Sequence, residues 1–300
     1  MEKEIIFVGL GRMGSALSAH LIEQGFVVHG FDEFIPAREK ARQNGVTVYD
    51  TLTKAVQASK IKQKTIWLMV PASVVDEIII QLEPLLEPED CIIDGGNSFF
   101  KESMRRQESL EHSKIHFIDC GTSGGVDGAR NGASLRVGGE KSTVETHEDL
   151  FTALAVHGGY AHVGGPGAGH FAKMVHNAIE YGMMGAIAEG VNILHEHSTA
   201  LNLDMQEALK PYEHGSIIQS KLMSWVSHAI SDTDHLNHIR GEVPKGETEM
   251  EMEYLVHSEN VLVLEAALAQ RKLTRTTPSF IGSLISAMRN QFGGHAIIEK

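Results

Sequence analysis

Apolar positions in the first half of the chain fall into short runs separated by amphipathic stretches. Residues 5–9, 27–31, 65–70, 91–94, 116–119 and 134–137 read as strands, with helices predicted over 14–24, 36–44, 72–86 and 142–155. Nearly continuous Val/Ile/Leu strands alternating with helices predict a doubly wound, mostly parallel sheet covered on both faces. From about Pro166 the pattern changes to successive helical stretches with no alternating strand signal, and the glycine-rich segment 158–170 marks the natural boundary. The expected architecture is α/β over residues 1–165, followed by an all-α domain over 166–300.

Composition agrees with this picture and narrows the partners. Three hundred residues allow two domains of about 150, and 42% hydrophobic with 22% charged residues is ordinary for a chain with a full core. No apolar run reaches membrane-spanning length, and MEKEIIFVGLG does not resemble a secretory leader, so a cytoplasmic protein is expected. Two cysteines, Cys91 and Cys120, both in strand-like runs, read as reduced buried thiols. A net charge of −13 leaves no basic face for a phosphate backbone, so no nucleic-acid partner is expected. A few local cations could still make a pocket for a small anion.

Gly9, Gly11 and Gly14 form G-x-G-x-x-G between a strand and a helix, and a second strand ends at Asp32, 18 residues after Gly14. That context is a dinucleotide-binding, Rossmann-type fingerprint: a tight turn at Gly9, close backbone approach at Gly11, helix–strand packing at Gly14, and phosphates at the helix N-terminus. Leu10, Arg12 and Met13 within the loop, together with Val70 and Asn97, complete the expected cofactor set. Asp32 accepts hydrogen bonds from ribose hydroxyls and repels a 2′-phosphate, and Glu33 adds negative charge. With no Arg or Lys between Glu33 and Arg38, NAD is expected over NADP.

The segment GHFAKMVHNAIEYG places Lys173, His176, Asn177 and Glu180 at i, i+3, i+4 and i+7, with Tyr181 beside them. These share one helical face, Lys173 and Glu180 lying about 10 Å apart along the axis. A buried amine and carboxyl so placed suit base and acid work on a small sugar acid, although a solvated charged face has the same spacing. Asn97 after the strand ending at Asp94, and Ser123, Gly124 and Gly125 after the strand ending at Asp119, fall where open α/β sheets place ligands. Glycines there let backbone N–H groups face a carboxylate. Ser123 lacks the G-x-S-x-G setting of a serine hydrolase.

The fingerprint, IIDGGNS, GTSGG, GHFAKMVHNAIEYG and the tail AMRNQFGGHAIIEK, in this order, resemble the decarboxylating 6-phosphogluconate dehydrogenases, and specifically their short, NAD-preferring type. The resemblance implies oxidation of 6-phosphogluconate to ribulose 5-phosphate and CO₂. It implies Lys173 as general base and Glu180 as general acid. Asn97, Ser123, Gly124, Gly125, His176 and Asn177 would hold the substrate, with Tyr181 on its phosphate. It also implies a homodimer or homotetramer with shared active sites, Arg289 and His295 reaching a neighbouring subunit. One departure stands out: where the family carries a basic phosphate ligand in G-x-G-[KR]-W, this chain reads GEVPKGETEMEMEY, with Lys245 shifted. A second phosphate-binding arginine would fall near Gln270 and Arg271. That departure keeps open an NAD-dependent dehydrogenase of another β-hydroxy acid, unphosphorylated or 3-hydroxyisobutyrate-like. A catalytically idle NAD-binding protein is the alternative from another class. His195, His197, Asp232, Asp234, His235 and His238 offer metal-ligand residue types without a complete set, so no metal is expected.

Overall fold

The computed structural model describes residues 3–300. The strands are β1 (Glu4–Val8), β2 (Val27–Phe31), β3 (Thr47–Val48), β4 (Thr65–Leu68), β5 (Cys91–Asp94), β6 (His116–Ser123), β7 (Ala133–Gly138) and β8 (Ala155–Gly164). The helices among them are α1 (Arg12–Glu23), α2 (Ile35–Gln43), α3 (Leu52–Ala58), α4 (Val75–Leu82), α5 (Phe100–Leu110), α6 (Gly125–Asn131), α7 (Lys141–Thr146) and α8 (Glu148–Leu154). After them come α9 (Ala168–Leu201), α10 (Met205–Glu213), α11 (Lys221–Ser231), α12 (Thr233–His238), α13 (Glu247–Ser258), α14 (Leu262–Leu273) and α15 (Phe280–Gly293). The chain divides into two compact units, the division falling inside α9 after Lys173.

The first unit is a single sheet in the order β3-β2-β1-β4-β5-β6-β7-β8. Every pairing is parallel except β6 with β7. Successive side chains alternate between its faces. Ile5, Phe7, Trp67 and Ile93 join the α1 and α8 residues Leu17, Leu21, Leu150 and Phe151 in one core. Ile6, Val8, Ile66, Leu68 and Ile92 join Leu52, Val56, Val75 and Ile79 of α3 and α4 in the other. This is the Rossmann-type, doubly wound architecture that the strand pattern predicts, and the second unit is helical throughout.

Several boundaries differ from the sequence expectation. The strand expected over 65–70 stops at Leu68, and the one expected over 116–119 continues to Ser123. The helix expected over 142–155 is broken into α7 and α8 at His147. The glycine-rich segment 158–170, expected as the boundary, continues the edge strand β8 and then opens α9, and the division between the units falls just after it. Among the described residues, no helix is long and apolar enough to cross a membrane.

Candidate active site

The glycine loop separates steric from ligand demands. Gly9 has φ +93, and a Cβ there would run into the Met69 carbonyl and Val70. A Cβ on Gly14 would strike the Gly9 carbonyl. Both glycines are therefore required by the chain's own packing. Gly11 is different, because a Cβ there meets no described atom within 4 Å. It is the N-cap of α1, with no side-chain cap and no acidic residue in the first turn. An open approach to an uncapped helix N-terminus fits a pyrophosphate.

Leu10 is buried in the core and can offer only its backbone, and Met13 packs against the same core. Asp32 follows β2, where its Oδ2 accepts the Leu10 N–H at 2.6 Å and its Oδ1 accepts the Phe34 N–H at 2.8 Å. It thus shapes the glycine loop, and each oxygen keeps a lone pair for a ribose hydroxyl. Arg38, six residues along, comes back in space and donates to the Asp32 and Asp50 carbonyls at 3.2 and 3.3 Å.

The two loops at the far ends of β5 and β6 are held from beneath. Fully buried Asp94 accepts the Gly96 N–H at 3.1 Å and the Ser98 hydroxyl at 2.6 Å. Arg106 of α5 donates to Asp94 and Ser98, and its Nε donates to Asp76 at 2.7 Å. Ser98 is therefore structural, while Asn97 stays half-buried at the loop. Ser123, expected in a loop, is the last residue of β6, and Gly124 and Gly125 turn the chain with φ +115 and +64.

Asp119, buried in β6, clamps the start of α9 by accepting the Gly167 N–H at 2.6 Å and the His170 N–H at 2.7 Å. His170 in turn bonds Ser103 at 2.7 Å. Gly121 lies directly under the helix: a Cβ there would sit 2.5 Å from the Lys173 Cβ. Half-buried Lys173 is thus fixed over β6 by one carboxylate and one missing side chain.

Further along α9, His176 Nδ1 lies 3.7 Å from Glu180 Oε2 and 3.4 Å from Asn177 Oδ1. The buried Asn177 amide donates to Glu251 at 2.9 Å. Tyr181 meets two arginines: Arg289 Nε donates to its hydroxyl at 2.8 Å, and the Arg271 guanidinium stands 4.5 Å from its ring centroid. Arg271 also donates to the Pro244 carbonyl at 3.0 Å. Both arginines converge on Gly246, where a Cβ would lie 3.7 and 3.8 Å from their Nη2 atoms. Both are buried, and among the described residues Arg271 Nε and Nη1 and Arg289 Nη1 have no hydrogen-bond partner. Burial, with the Arg289 charge beside it, pulls the Arg271 pKa down. Adjacent buried cations with unused N–H groups make a site for a multivalent oxyanion.

The acidic segment that departs from the family motif is largely neutralised. Arg275 grips Glu249 at 2.7 and 2.9 Å, with Arg271 Nε 3.4 Å away. Burial alone would raise the Glu249 pKa, but these arginines bring it down. Glu251 accepts from Asn177, and Glu253 pairs with Lys272. The two tail residues sit in different settings. Arg289, expected to serve a neighbouring subunit, is turned inward by the buried face of α15 and meets Tyr181 of its own chain. His295 lies in the exposed turn beyond α15, its ring against Phe292. Arg271, which the sequence marked only by approximate position, is the residue that its pattern left undetermined.

The chain matches the NAD binding domain of 6-phosphogluconate dehydrogenase over residues 4–164 and the 6-phosphogluconate dehydrogenase C-terminal domain over 169–238. It is 36% identical over 299 residues to YqeC of Bacillus subtilis, covering 99% of this chain and 100% of that one. It is 35% identical over 298 residues to the NAD(+)-dependent, decarboxylating 6-phosphogluconate dehydrogenase of Haloferax volcanii, covering 98% of each. The solved Plasmodium falciparum 6-phosphogluconate dehydrogenase superposes with a TM-score of 0.80 at 26% identity, over 91% of this chain and 62% of that one.

Proposed function

The chain belongs to the 6-phosphogluconate dehydrogenase family, and from that premise we propose that it oxidises 6-phosphogluconate with NAD, releasing CO₂ and ribulose 5-phosphate. The observation that carries this reading is the pair of buried guanidinium groups at Tyr181, with nitrogens that have no hydrogen-bond partner among the described residues. An unphosphorylated acid has no use for two such cations, whereas a phosphate accepts bidentate bonds from both.

Gly9–Gly14 and Asp32 would hold NAD, which supplies a hydride acceptor. The open face of Gly11 supports that fit. Asp32 and exposed Glu33 favour NAD over NADP by charge, and Arg38 Nη1 beside them is engaged by two carbonyls. Lys173 Nζ, in its neutral form, takes the proton of the hydroxyl β to the carboxylate as hydride leaves the same carbon. The protonated amine then polarises the new ketone while the C–C bond to the carboxylate breaks. That electron pair forms the enolate, and Lys173 returns its proton to the oxygen. Glu180, in its protonated form, delivers a proton to the carbon that lost CO₂ while neutral Lys173 takes the proton back from the enediol oxygen, giving the ketose. Asn97, Ser123, the Gly124–Gly125 backbone, His176 and Asn177 orient carboxylate and hydroxyls. Tyr181, Arg271 and Arg289 hold the phosphate.

Replacing Arg271 tests the phosphate assignment. Arg271→Met should cost about 2–3 kcal/mol of binding, raising KM for 6-phosphogluconate roughly 30- to 150-fold. Slow turnover of gluconate should change far less. Equal losses on both substrates would refute a phosphate contact at Arg271.

A further inference from the structure

The reaction proposed above uses only the carboxyl ends of the strands. At the opposite end, where β4, β5 and β6 begin, a cleft of about 400 Å³ opens between the loop leading into β4 and α7. That volume lies within the range of about 300–1,000 Å³ typical of small-molecule sites.

Its internal network is closed and its carboxylates are engaged. Buried His147 places Nδ1 2.8 Å from the Thr143 carbonyl and Nε2 3.1 Å from the Thr65 hydroxyl. A carbonyl only accepts, so Nδ1 carries the proton and Thr65 donates to Nε2. Burial lowers the pKa of this ring, keeping it neutral. His116 bridges the Thr143 hydroxyl at 3.2 Å and Glu89 at 3.3 Å. Asp90, fully buried next to the lining residue Glu89, accepts the N–H groups of Lys64 and Glu87 at 2.7 and 2.9 Å.

What remains is donor capacity. Lys62 and the Ser142 hydroxyl have no partner among the described residues. Among the described residues the Lys64 ammonium, with its side chain 14% exposed, is paired only with Asp90, at 3.8 Å. The rim is also unusual: Glu89 and Lys114 both adopt left-handed backbone, with φ +75 and +55, and the Glu89 N–H donates to the Lys114 carbonyl at 2.8 Å. Such conformations persist where the surroundings over-determine them and concentrate at ligand clamps.

We infer that this cleft is a second small-molecule site, taking a small anion with a phosphate or carboxylate head through Lys62, Lys64 and Ser142. The inference does not depend on the reaction at the other end of the strands.

A cysteine reporter tests it without interference from any anion at the active site. Cys91 and Cys120 are buried and burial pushes both thiols up, so they react slowly in the folded chain. Ser142→Cys places one accessible thiol in the cleft, and its alkylation by neutral N-ethylmaleimide is followed with inorganic phosphate or citrate, against sodium chloride of equal ionic strength. Saturable slowing is expected from at least one probe, about threefold at twice its Kd, and it should vanish when Lys62→Glu is added. Phosphate alone would identify a phosphate head, and citrate alone a carboxylate head. Thr146→Cys repeats the reading with the Ser142 hydroxyl intact. No saturable slowing of either reporter, or equal slowing with Lys62→Glu, overturns the site.

Discussion

Burying a guanidinium costs several kcal/mol unless its charge and N–H groups are met. Arg271 and Arg289 stand side by side with three nitrogens unmatched, and Glu249 offsets only part of that charge while held by Arg275. The phosphate assignment follows from that imbalance. The proposed proton chemistry is assigned to two other residues, and their roles should separate on mutation. Lys173→Met should slow the first turnover of NADH formation about 10²- to 10⁴-fold, the usual worth of a positioned base. Glu180→Gln should leave that first turnover nearer to wild type and depress the steady state, because its proton is needed after the redox step. Equal losses in rapid-mixing measurements would remove Glu180 from the later step. That Lys173, Asn177 and Glu180 lie on one face of a helix was legible in the sequence, because helical spacing alone sets it. Arg271 was not, because it meets Tyr181 across 90 residues of chain and no local period encodes such a register.

At the scale of elements, α9 depends on β6. Asp119 satisfies two amides at the helix start, groups that otherwise have no intrahelical partner. Asp119→Ala should cost about 2–4 kcal/mol in urea unfolding, from two charge-assisted bonds and an inter-element cap. A change under about 0.5 kcal/mol, the range of ordinary surface substitutions, would show that the clamp is dispensable. The elements missed in the sequence have common physical causes. β3 has two residues, and β8 is an exposed, glycine-bearing edge strand, so neither shows an apolar run. α5 turns Ser103 and Arg106 inward, which hides its buried face from a hydrophobicity pattern. The glycine fingerprint was legible because Gly9 and Gly14 answer to local sterics.

At the scale of the whole molecule, the strand–helix alternation and its later loss marked the two architectures correctly, since buried parallel strands must be apolar on both faces. Assembly is a separate matter. Arg289 donates to Tyr181 of its own chain, so the proposed phosphate grip is expected to be complete within one polypeptide. Mixing inactive Lys173→Ala and Arg289→Ala chains should therefore restore no activity, even where subunit exchange is demonstrated by a tag on one of them. Recovery would show that Arg289 also serves a neighbouring subunit. The most direct test of the proposed reaction is product stoichiometry in the wild-type chain. Purified protein is given 6-phosphogluconate labelled at the carboxyl carbon, and NADH and trapped CO₂ are counted together. Equimolar NADH and CO₂ are expected, with kcat/KM at least about 10²-fold above that for gluconate or 3-hydroxyisobutyrate, because buried donors would lose their phosphate partner. NADH without CO₂, or a preference for either unphosphorylated acid, would contradict the assignment.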